Sequence, residues 1–493
     1  MKPQIKNISW CAGALALFSL VGCGNAQKTE PSKPNIVYIL ADDLGFGDVS
    51  CLNPHSKVQT PAIDNFAKQG ITFTNALTAS SVCTPTRYTI LTGRYSWRGS
   101  LKTQVIEAHE PEVLERGRAT VASMLKKQGY NTACIGKWHL GVNFSKIDST
   151  KPLVEGKRWN IKSSANIDYD KDVTGSPTYH GFDYGYIIPG SLDMFPYCYI
   201  ENGHILGNIE RRQYGMTKQE NRGLNYRDGD TAKGFEHEDV LGHFTQKVTS
   251  TIADLAKKEE PFFVYFPMTA PHTPWVPTEE FRGKSKAGYY GDFVAMVDAM
   301  VDKVLKSIDD AGVRENTIVI VTSDNGSDRM PHEIKKFDHD SNYGRRGRKA
   351  GYYDGGFHVP FMVRWPGVIQ PGNSTNKTIC SVDLYATLAE MLNVPVGNNT
   401  AEDSESFLSQ LTGKASSPSQ REALINHSFW GTYTIRKGDW KYIDLKGNYE
   451  TTSEKGELYN IKSDVMESKN VLEQNPQVGQ EMRTLLEKIK RQN

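Results

Sequence analysis

The stretch NIVYILADDLG, residues Asn35–Gly45, decides the fold class. Its first seven residues form a short, almost uninterrupted apolar run, which is typical of a strand buried on both faces of a parallel sheet. The run stops at Asp42 and Asp43, so two acidic residues stand where the strand is predicted to end. Because ligands of open α/β sheets bind at the carboxyl ends of the strands, we expect these carboxylates at a functional site.

Three further stretches repeat this pattern: residues 317–322 precede Asp324 and Asn325, residues 262–266 precede His272, and residues 131–135 precede Lys137 and His139. Helical patterns lie between them at residues 120–128, 234–258 and 292–310. Strands that alternate with helices predict an α/β fold with a mainly parallel sheet flanked by helices. Four strand ends that carry complementary polar groups indicate one shared site.

The C-terminal part of the chain has a different pattern. A polar stretch at 397–420 is followed by β-like runs at 433–436 and 440–443, and a helical pattern at 478–491 closes the chain. We therefore predict a catalytic domain over residues 35–410, and a C-terminal subdomain with a smaller antiparallel sheet and a helix over residues 411–493.

The charge balance excludes some classes of partner. The 493 residues contain 58 Lys and Arg against 57 Asp and Glu, a net charge of +1. Such a balance does not favour nucleic acid or bulk electrostatic attraction to a membrane. An anionic ligand must therefore be met by a local cluster of positive charge.

The N-terminus resembles a bacterial lipoprotein signal. Lys2 and Lys6 precede an apolar run that ends just before Cys23, and this run is too short for a permanent membrane span. We expect a signal peptide over residues 1–22, lipid attachment at Cys23 and a flexible tether over residues 23–34; a plain secretory signal is the alternative. The protein is thus expected to be an exported, lipid-anchored protein, periplasmic or on the cell surface of a Gram-negative bacterium.

Five cysteines remain after the signal peptide and the lipid-bearing Cys23 are set aside: Cys51, Cys83, Cys134, Cys198 and Cys380. An odd number in an oxidising compartment leaves at least one thiol unpaired. Cys83 is the candidate, and the spacing leaves the pairing of the other four open.

The polar residues after the strands also suggest a metal. Asp42, Asp43, Asp324 and Asn325 offer only oxygen ligands, which suit a hard cation such as Ca²⁺ better than Zn²⁺. The alternative is that these residues only cap helices or form turns.

The stretch SSVCTPTRYTILTGRY, residues 80–95, predicts a helix that begins near Cys83. Pro85 fits the first turn, where its missing N–H costs nothing. Cys83 would then lie at the positive end of the helix dipole, and Arg87 would lie one turn later on the same face. The alternative is a small buried residue beside an ordinary helix arginine.

This stretch, with its CTPTR and LTGR segments, resembles the signature of the sulfatase family. Other matching motifs follow in the family's order: Asp42–Gly45, Gly129–His139, Pro271–Pro274, Asp324–Gly326, Lys349 before Gly355–Gly356, and Glu457–Asn460. The resemblance covers nearly the whole chain after the signal peptide. It implies an alkaline-phosphatase-like α/β fold.

The resemblance also implies a mechanism. A maturation enzyme would oxidise Cys83 to formylglycine, whose hydrate attacks the sulfur of a sulfate ester beside Ca²⁺. The implied metal ligands are Asp42, Asp43, Asp324, Asn325 and the modified Cys83. The implied catalytic residues are Cys83, Arg87, Lys137, His139, His272 and Lys349, with His139 as a base and His272 and Lys349 near the leaving oxygen. The implied substrate-binding residues are Lys137, His272, Lys349 and Asp193. Arg346 is a further candidate, because Arg345, Arg346 and Arg348 form a dense positive patch just before Lys349; this patch either helps to bind a sulfated or carboxylated glycan or is merely solvated.

The expected substrate is an O-sulfate ester on a carbohydrate, specifically a 6-sulfated galactose or N-acetylgalactosamine of a host or algal glycan. Two alternatives stay open at this point. One is a phosphoester or phosphonate hydrolase of the same superfamily, and the other is an inactive glycan-binding lipoprotein.

Overall fold

The computed structural model describes residues 1, 4, 33–158, 160–214, 226–414, 421–446 and 455–492. All elements named below belong to one compact unit that begins at Lys33. The predicted signal peptide, lipid site and tether lie outside the described residues, apart from positions 1, 4, 33 and 34. In the described part of the chain, no helix combines the length and the apolar character that crossing a membrane requires.

The main sheet has ten strands, and the order across the sheet is β6-β5-β4-β3-β7-β1-β8-β9-β2-β10. Its strands are β1 (Asn35–Ala41), β2 (Ile71–Phe73), β3 (Asn131–Lys137), β4 (Tyr184–Ile188), β5 (Ile200–Glu201), β6 (His204–Ile205), β7 (Phe262–Pro267), β8 (Thr317–Ser323), β9 (Phe361–Arg364) and β10 (Asn373–Thr375). The helices are α1 (Pro61–Lys68), α2 (Cys83–Thr92), α3 (Val121–Lys127), α4 (Val240–Leu255), α5 (Gly288–Asp310), α6 (Pro331–Phe337), α7 (Leu384–Met391), α8 (Leu408–Thr412) and α9 (Pro476–Arg491).

The four strands predicted from apolar runs form the centre of this sheet. β1 pairs in parallel with β7 on one side and with β8 on the other, and β7 pairs in parallel with β3. Every residue of β1 is buried, as expected for a strand covered by helices on both faces. Antiparallel pairs occur where β8 meets β9 and where β4 meets β5. The prediction of an α/β fold with a mainly parallel central sheet is confirmed.

The first residues of two helices differ from the sequence prediction by four positions or more. The pattern at 234–258 becomes an α-helix only at Val240, because Gly234 has a φ of +82° and His237–Asp239 form a 3₁₀ turn. Conversely, α5 begins at Gly288, four residues before the predicted start. Apolar periodicity marks the face of a helix that packs, and it defines the ends of the helix less well.

The C-terminal part forms the predicted small antiparallel sheet with a helix. Its strands are β11 (Leu424–His427), β12 (Tyr433–Lys437), β13 (Trp440–Ile443) and β14 (Glu457–Asn460), each paired with the next in the chain. One face of α9 is buried against this sheet through Met482, Leu485, Leu486 and Ile489. The last strand contains the closing motif noted above.

A buried ionic network joins this sheet to the loop that carries Lys349. The carboxylate of Asp354 accepts a hydrogen bond from Lys441 Nζ at 2.7 Å and pairs with Arg436. Lys441 also pairs with Glu467, whose other carboxylate oxygen accepts the backbone N–H of Asp354 at 2.6 Å. Lys441 and Glu467 have no exposed side-chain surface. Each charge is therefore matched inside the protein, which is the condition for burying it.

The structure predicts that Lys441→Met destabilises the protein. The variant leaves Asp354 and Glu467 buried without their shared cation, which costs about 3–5 kcal/mol in comparable buried pairs. The free energy of unfolding in denaturant measures this loss. Lys437→Met on the neighbouring strand is the matched control, because Lys437 is 53% exposed and its removal costs at most about 0.5 kcal/mol. Equal losses in the two variants would contradict the prediction.

Candidate active site

The carboxyl ends of the central strands meet at one buried site. Asp42 and Asp43 follow β1, and Asp324 and Asn325 follow β8; all four side chains are at most 2% exposed. Asp43 has a φ of +67°, so the chain turns sharply directly after Asp42. The backbone N–H of Asp43 donates to Asp324 Oδ1 at 3.2 Å, and Asn325 Nδ2 donates to Asp43 Oδ1 at 2.7 Å.

The turn that carries Asp324 and Asn325 is held by a close approach between two backbone segments. A Cβ atom on Gly326 would lie 1.9 Å from the carbonyl oxygen of Gly355, so only glycine fits after Asn325. The N–H of Gly326 donates to the Gly356 carbonyl at 2.9 Å, and the N–H of Lys349 donates to the Ser327 carbonyl at 3.0 Å. The loop that carries Lys349 is thereby fixed directly to the turn that carries Asp324 and Asn325.

Three basic side chains neutralise the three aspartates. Arg87 donates from Nε and Nη2 to Asp324 Oδ2 at 3.0 and 2.7 Å. Lys137 Nζ lies 2.5 Å from Asp42 Oδ2, and Lys349 Nζ lies 2.7 Å from Asp43 Oδ1. The Arg87 Nη1 also donates to the Lys137 carbonyl at 2.8 Å, which links helix α2 to the end of β3. The structure thus brings together six predicted residues from five segments: the ends of β1, β3 and β8, helix α2 and the loop that carries Lys349.

The pKa values of these groups follow from burial and from their neighbours. Burial alone would raise the pKa of Asp42, but Lys137 and then His272 hold it well below its usual range. Burial, and then repulsion from Asp42, raise the pKa of Asp324. For Lys349, burial acts to lower the pKa and the charge of Asp43 raises it, with a net rise. The carboxylates therefore repel one another and depend on nearby positive charge.

Two oxygen atoms at the centre of the site remain without a hydrogen-bond partner among the described residues: Asp42 Oδ1 and Asn325 Oδ1. Buried oxygens of this kind are costly unless a cation or a donor meets them. Asp42, Cys83 and Asp324 each offer a ligand atom, with these atoms within 4.8 Å of one another. This acidic cluster is able to bind a metal, and its oxygen-rich ligand set fits a hard cation.

Cys83 is the first residue of helix α2 and is 2% exposed. Pro85 lies in the first turn of that helix, as predicted. The thiol is not activated as a free nucleophile, because burial raises its pKa and this outweighs the opposing effects of Lys137 and Lys349. The start of a helix favours a thiolate, but here desolvation is the larger effect.

His139 is fully buried and has a φ of +52°. Its Nε2 lies 2.8 Å from the Ile106 carbonyl, so the neutral ring carries its proton on Nε2 and donates it there. Nδ1 is buried and has no hydrogen-bond partner in the described part of the chain. Burial, and then Lys137, lower the pKa of His139 far below its usual value. His139 is therefore a neutral imidazole with a free lone pair, able to accept a proton.

His272 is a buried residue that lies near Asp43. Its Nε2 is 3.8 Å from Asp43 Oδ2, while Nδ1 is 2.5 Å from the Thr273 carbonyl and 3.0 Å from Ser191 Oγ. The carbonyl fixes the proton of the neutral ring on Nδ1. Burial, and then the charge of Lys349, lower the pKa of His272.

Asp193 and Arg346, both predicted to bind substrate, lie in different surroundings. Asp193 Oδ2 accepts from Arg227 Nη2 at 3.0 Å; burial would raise its pKa, but His272 and Arg227 lower it to about 2. Arg346 instead stacks on Tyr353 of its own loop at 3.8 Å and donates to Tyr459 Oη of the C-terminal sheet at 3.1 Å. Its role in substrate binding stays a prediction.

Sequence reasoning missed two residues next to the site, Glu107 and Arg227, and placed Ser191 only within a substrate-facing loop. Glu107 and Arg227 pair at 3.3 Å, and Ser191 contacts His272. Glu107 and Arg227 are 120 positions apart and belong to no motif. Ser191 lies two residues before Asp193, so only its place in the same loop could have indicated it.

Comparison with known proteins agrees with this geometry. The family model described as "Sulfatase" matches residues 34–394, and the model for the "N-sulphoglucosamine sulphohydrolase, C-terminal" region matches residues 348–492. The N-acetylgalactosamine-6-O-sulfatase of Bacteroides thetaiotaomicron is 32% identical, over 99% of this chain and 100% of that protein. Human steryl-sulfatase is 30% identical, over 82% of this chain and 73% of its own length.

Solved structures extend the comparison. A structure reported under the metabolism of multiple glycosaminoglycans by Bacteroides thetaiotaomicron has a TM-score of 0.79 and 32% identity, and it covers 93% of this chain and 100% of that one. A neighbour solved in complex with a neocarrahexaose has a TM-score of 0.70 at 22% identity, with 93% of each chain covered, and shows the same fold. The chain belongs to the sulfatase family. It is a hydrolase of sulfuric esters, with carbohydrate sulfatases among its relatives.

Proposed function

We propose that this sulfatase removes an O-sulfate group from a carbohydrate, with Ca²⁺ and a formylglycine made from Cys83 in its active site. The observation that carries the proposal is the set of buried carboxylates and basic groups around residue 83. Three aspartates and three cations balance one another at the strand ends. A divalent cation added to this set would leave an excess of two positive charges, and a buried positive site favours an anionic ester.

In this proposal Asp42, Asp43, Asp324 and Asn325 would hold Ca²⁺ together with the modified residue 83. When present, Ca²⁺ would supply a Lewis acid, and the hydrated aldehyde of formylglycine would supply the nucleophile toward sulfur. Lys137 and Lys349 would orient the sulfate oxygens, since their ammonium groups already lie on the aspartates of the site. Arg87 fixes Asp324 and the end of β3 in place.

The two histidines have complementary roles in the proposal. His139 offers the free lone pair of Nδ1 and accepts a proton. His272 carries its proton on Nδ1 and presents Nε2 beside Asp43. An anionic ester bound next to Nε2 would favour uptake of a second proton from solvent at Nε2. His272 would then donate this Nε2 proton to the leaving sugar oxygen and return to the neutral ring, with Lys349 stabilising the charge on that oxygen.

Replacement of the proposed nucleophile tests the formylglycine. We expect Cys83→Ala to reduce hydrolysis of 4-nitrophenyl sulfate by at least about a thousandfold and to leave the cooperative unfolding transition in place. In active wild-type protein, the intact mass of the peptide around residue 83 should show one oxygen in place of sulfur and two hydrogens. The control is Cys380→Ala, another buried cysteine, which retains activity. An unmodified thiol in fully active enzyme would contradict the proposal.

Calcium binding is tested by thermal unfolding. We expect Ca²⁺ to raise the unfolding temperature of metal-free protein. The free energy of unfolding should rise by about 2.7 kcal/mol at an ion concentration one hundred times Kd. Asn325→Ala removes one proposed ligand and should reduce this stabilisation. Asn373→Ala, at an exposed position, should retain it. If Ca²⁺ raised the unfolding temperature of the wild-type protein no more than that of Asn325→Ala, these residues would not be the calcium site.

The proposed sugar is a 6-sulfated galactose or N-acetylgalactosamine. One support is the relative named N-acetylgalactosamine-6-O-sulfatase, which aligns over its whole length. Another is Asp193, which lies within the electrostatic reach of His272 and Lys137. Its Oδ1 is buried and has no hydrogen-bond partner among the described residues. A charged oxygen of this kind is suited to accept a hydrogen bond from a sugar hydroxyl.

A panel of sulfated sugars tests this choice. Wild-type kcat/KM should be higher for 6-sulfated N-acetylgalactosamine or galactose than for 6-sulfated N-acetylglucosamine or 4-sulfated N-acetylgalactosamine, by about 10²-fold. Asp193→Asn should reduce this preference, whereas Asp228→Asn, at an exposed position nearby, should retain it. Preference for another sugar sulfate would refute the sugar assignment, and preference for an aryl phosphate would point to the phosphoester alternative.

We also propose that the mature protein is an exported lipoprotein. The support is the sequence of residues 1–34, in which a basic segment and an apolar run precede Cys23. A lipid anchor there would hold the enzyme at a membrane, periplasmic or on the cell surface. Mass analysis of the N-terminal peptide from the native host tests this, because lipid attachment requires cleavage before Cys23.

A further inference from the structure

A tight turn between β11 and β12 carries two aromatic residues at its tip. The N–H of Gly431 donates to the Ser428 carbonyl at 3.1 Å, and the N–H of Ser428 donates to the Thr432 carbonyl at 2.9 Å. The Thr432 N–H also donates to Ser428 Oγ at 3.1 Å. These bonds close the turn around Phe429 and Trp430, so the two rings are presented by a preorganised backbone.

Phe429 fixes the turn to the rim of the active site. Its N–H donates to the carbonyl of Ala350, the residue after Lys349, at 3.0 Å. Its carbonyl accepts the N–H of Gln104 at 2.6 Å. The Phe429 ring packs against an apolar cluster that contains Cys83, Val105 and Met194. The turn therefore contacts the loop of the proposed catalytic lysine and the apolar cluster that includes Cys83.

Trp430 faces outward from this anchor. Its side chain is 45% exposed, and in the described part of the chain it is the only tryptophan among the exposed large apolar residues. The Trp430 ring centroid is 4.7 Å from that of Phe429, with an angle of 88° between the rings. The Trp430 ring thus contacts Phe429, which packs against the cluster that contains Cys83. The edge-to-face contact between the two rings restricts the orientation of Trp430.

We propose that Trp430 is a binding platform for a second sugar ring, next to the ring that carries the reacting sulfate. The inference rests on the proposed carbohydrate sulfatase activity and extends it to the length of the substrate. One face of a pyranose ring carries C–H groups and is apolar, and a large rigid indole offers a matching apolar face. A mobile side chain would lose more conformational entropy on binding than this fixed aromatic pair. The ligand is therefore an oligosaccharide, and the C-terminal sheet contributes to its recognition.

Kinetics with saccharides of different length test the platform. The full-length, formylglycine-bearing enzyme is assayed on a sulfated monosaccharide that the panel above identifies as a substrate, and on the di- and tetrasaccharides that contain it. In Trp430→Ala, the ratio of kcat/KM for the longer saccharides to that for the monosaccharide should fall about tenfold, mainly through KM. Trp430→Phe, which keeps an aromatic face, should restore most of this ratio.

Tyr179→Ala provides the control, because Tyr179 is an exposed aromatic residue (46%) on a 3₁₀ turn remote in sequence from the rim. This variant should retain the wild-type ratio. An unchanged ratio of kcat/KM for long and short saccharides in Trp430→Ala would overturn the inference. It would also be overturned if Trp430→Ala lost binding to vesicles or self-association while this ratio stayed the same. If wild-type enzyme hydrolyses no saccharide of any length, the carbohydrate function itself fails, which is a distinguishable result.

Discussion

The structure depends on the burial of three aspartates at the ends of two adjacent strands. Asp42, Asp43 and Asp324 lie close together with almost no exposed surface, and like charges in such surroundings repel strongly. They are tolerated because basic groups from the helix after Cys83, from the end of β3 and from the Lys349 loop reach them. The same requirement for positive charge makes the site receptive to a cation, and then to an anionic ester. The electrostatic constraint of the fold and the chemistry of the enzyme thus have one origin.

The central sheet and most of the strand-end site could be predicted from sequence. A short apolar run followed by Asp42, Asp324 or His272 contains both the strand and its polar end, so local patterns suffice. The rule that parallel strands present their carboxyl ends at one edge then brings distant residues together. The start of α2 at Cys83 was predictable for a similar reason, since Pro85 favours a first turn.

Other features could not be predicted because they depend on packing between distant segments. The pairing of Arg227 with Glu107 joins loops without a common motif. The protonation state of Cys83 was also hidden, because burial outweighs the helix dipole and only the folded structure gives the burial. The contacts of Arg346 were hidden as well: a run of arginines suggests an anion site, whereas this guanidinium stacks on an aromatic ring beside the C-terminal sheet. The type of a residue is known from the sequence, but the contacts of its side chain depend on the folded structure.

The ionic network around Asp354 has a consequence for biosynthesis. The loop with Lys349 is held by Lys441 and Glu467, which the ribosome adds about a hundred residues after the loop itself. A nascent chain that stops short of these positions has no partner for the Asp354 carboxylate, and its loop lacks this anchor. The Lys349 loop is therefore fixed in place only once nearly the whole polypeptide has been made, and we expect prematurely terminated products to lack sulfatase activity.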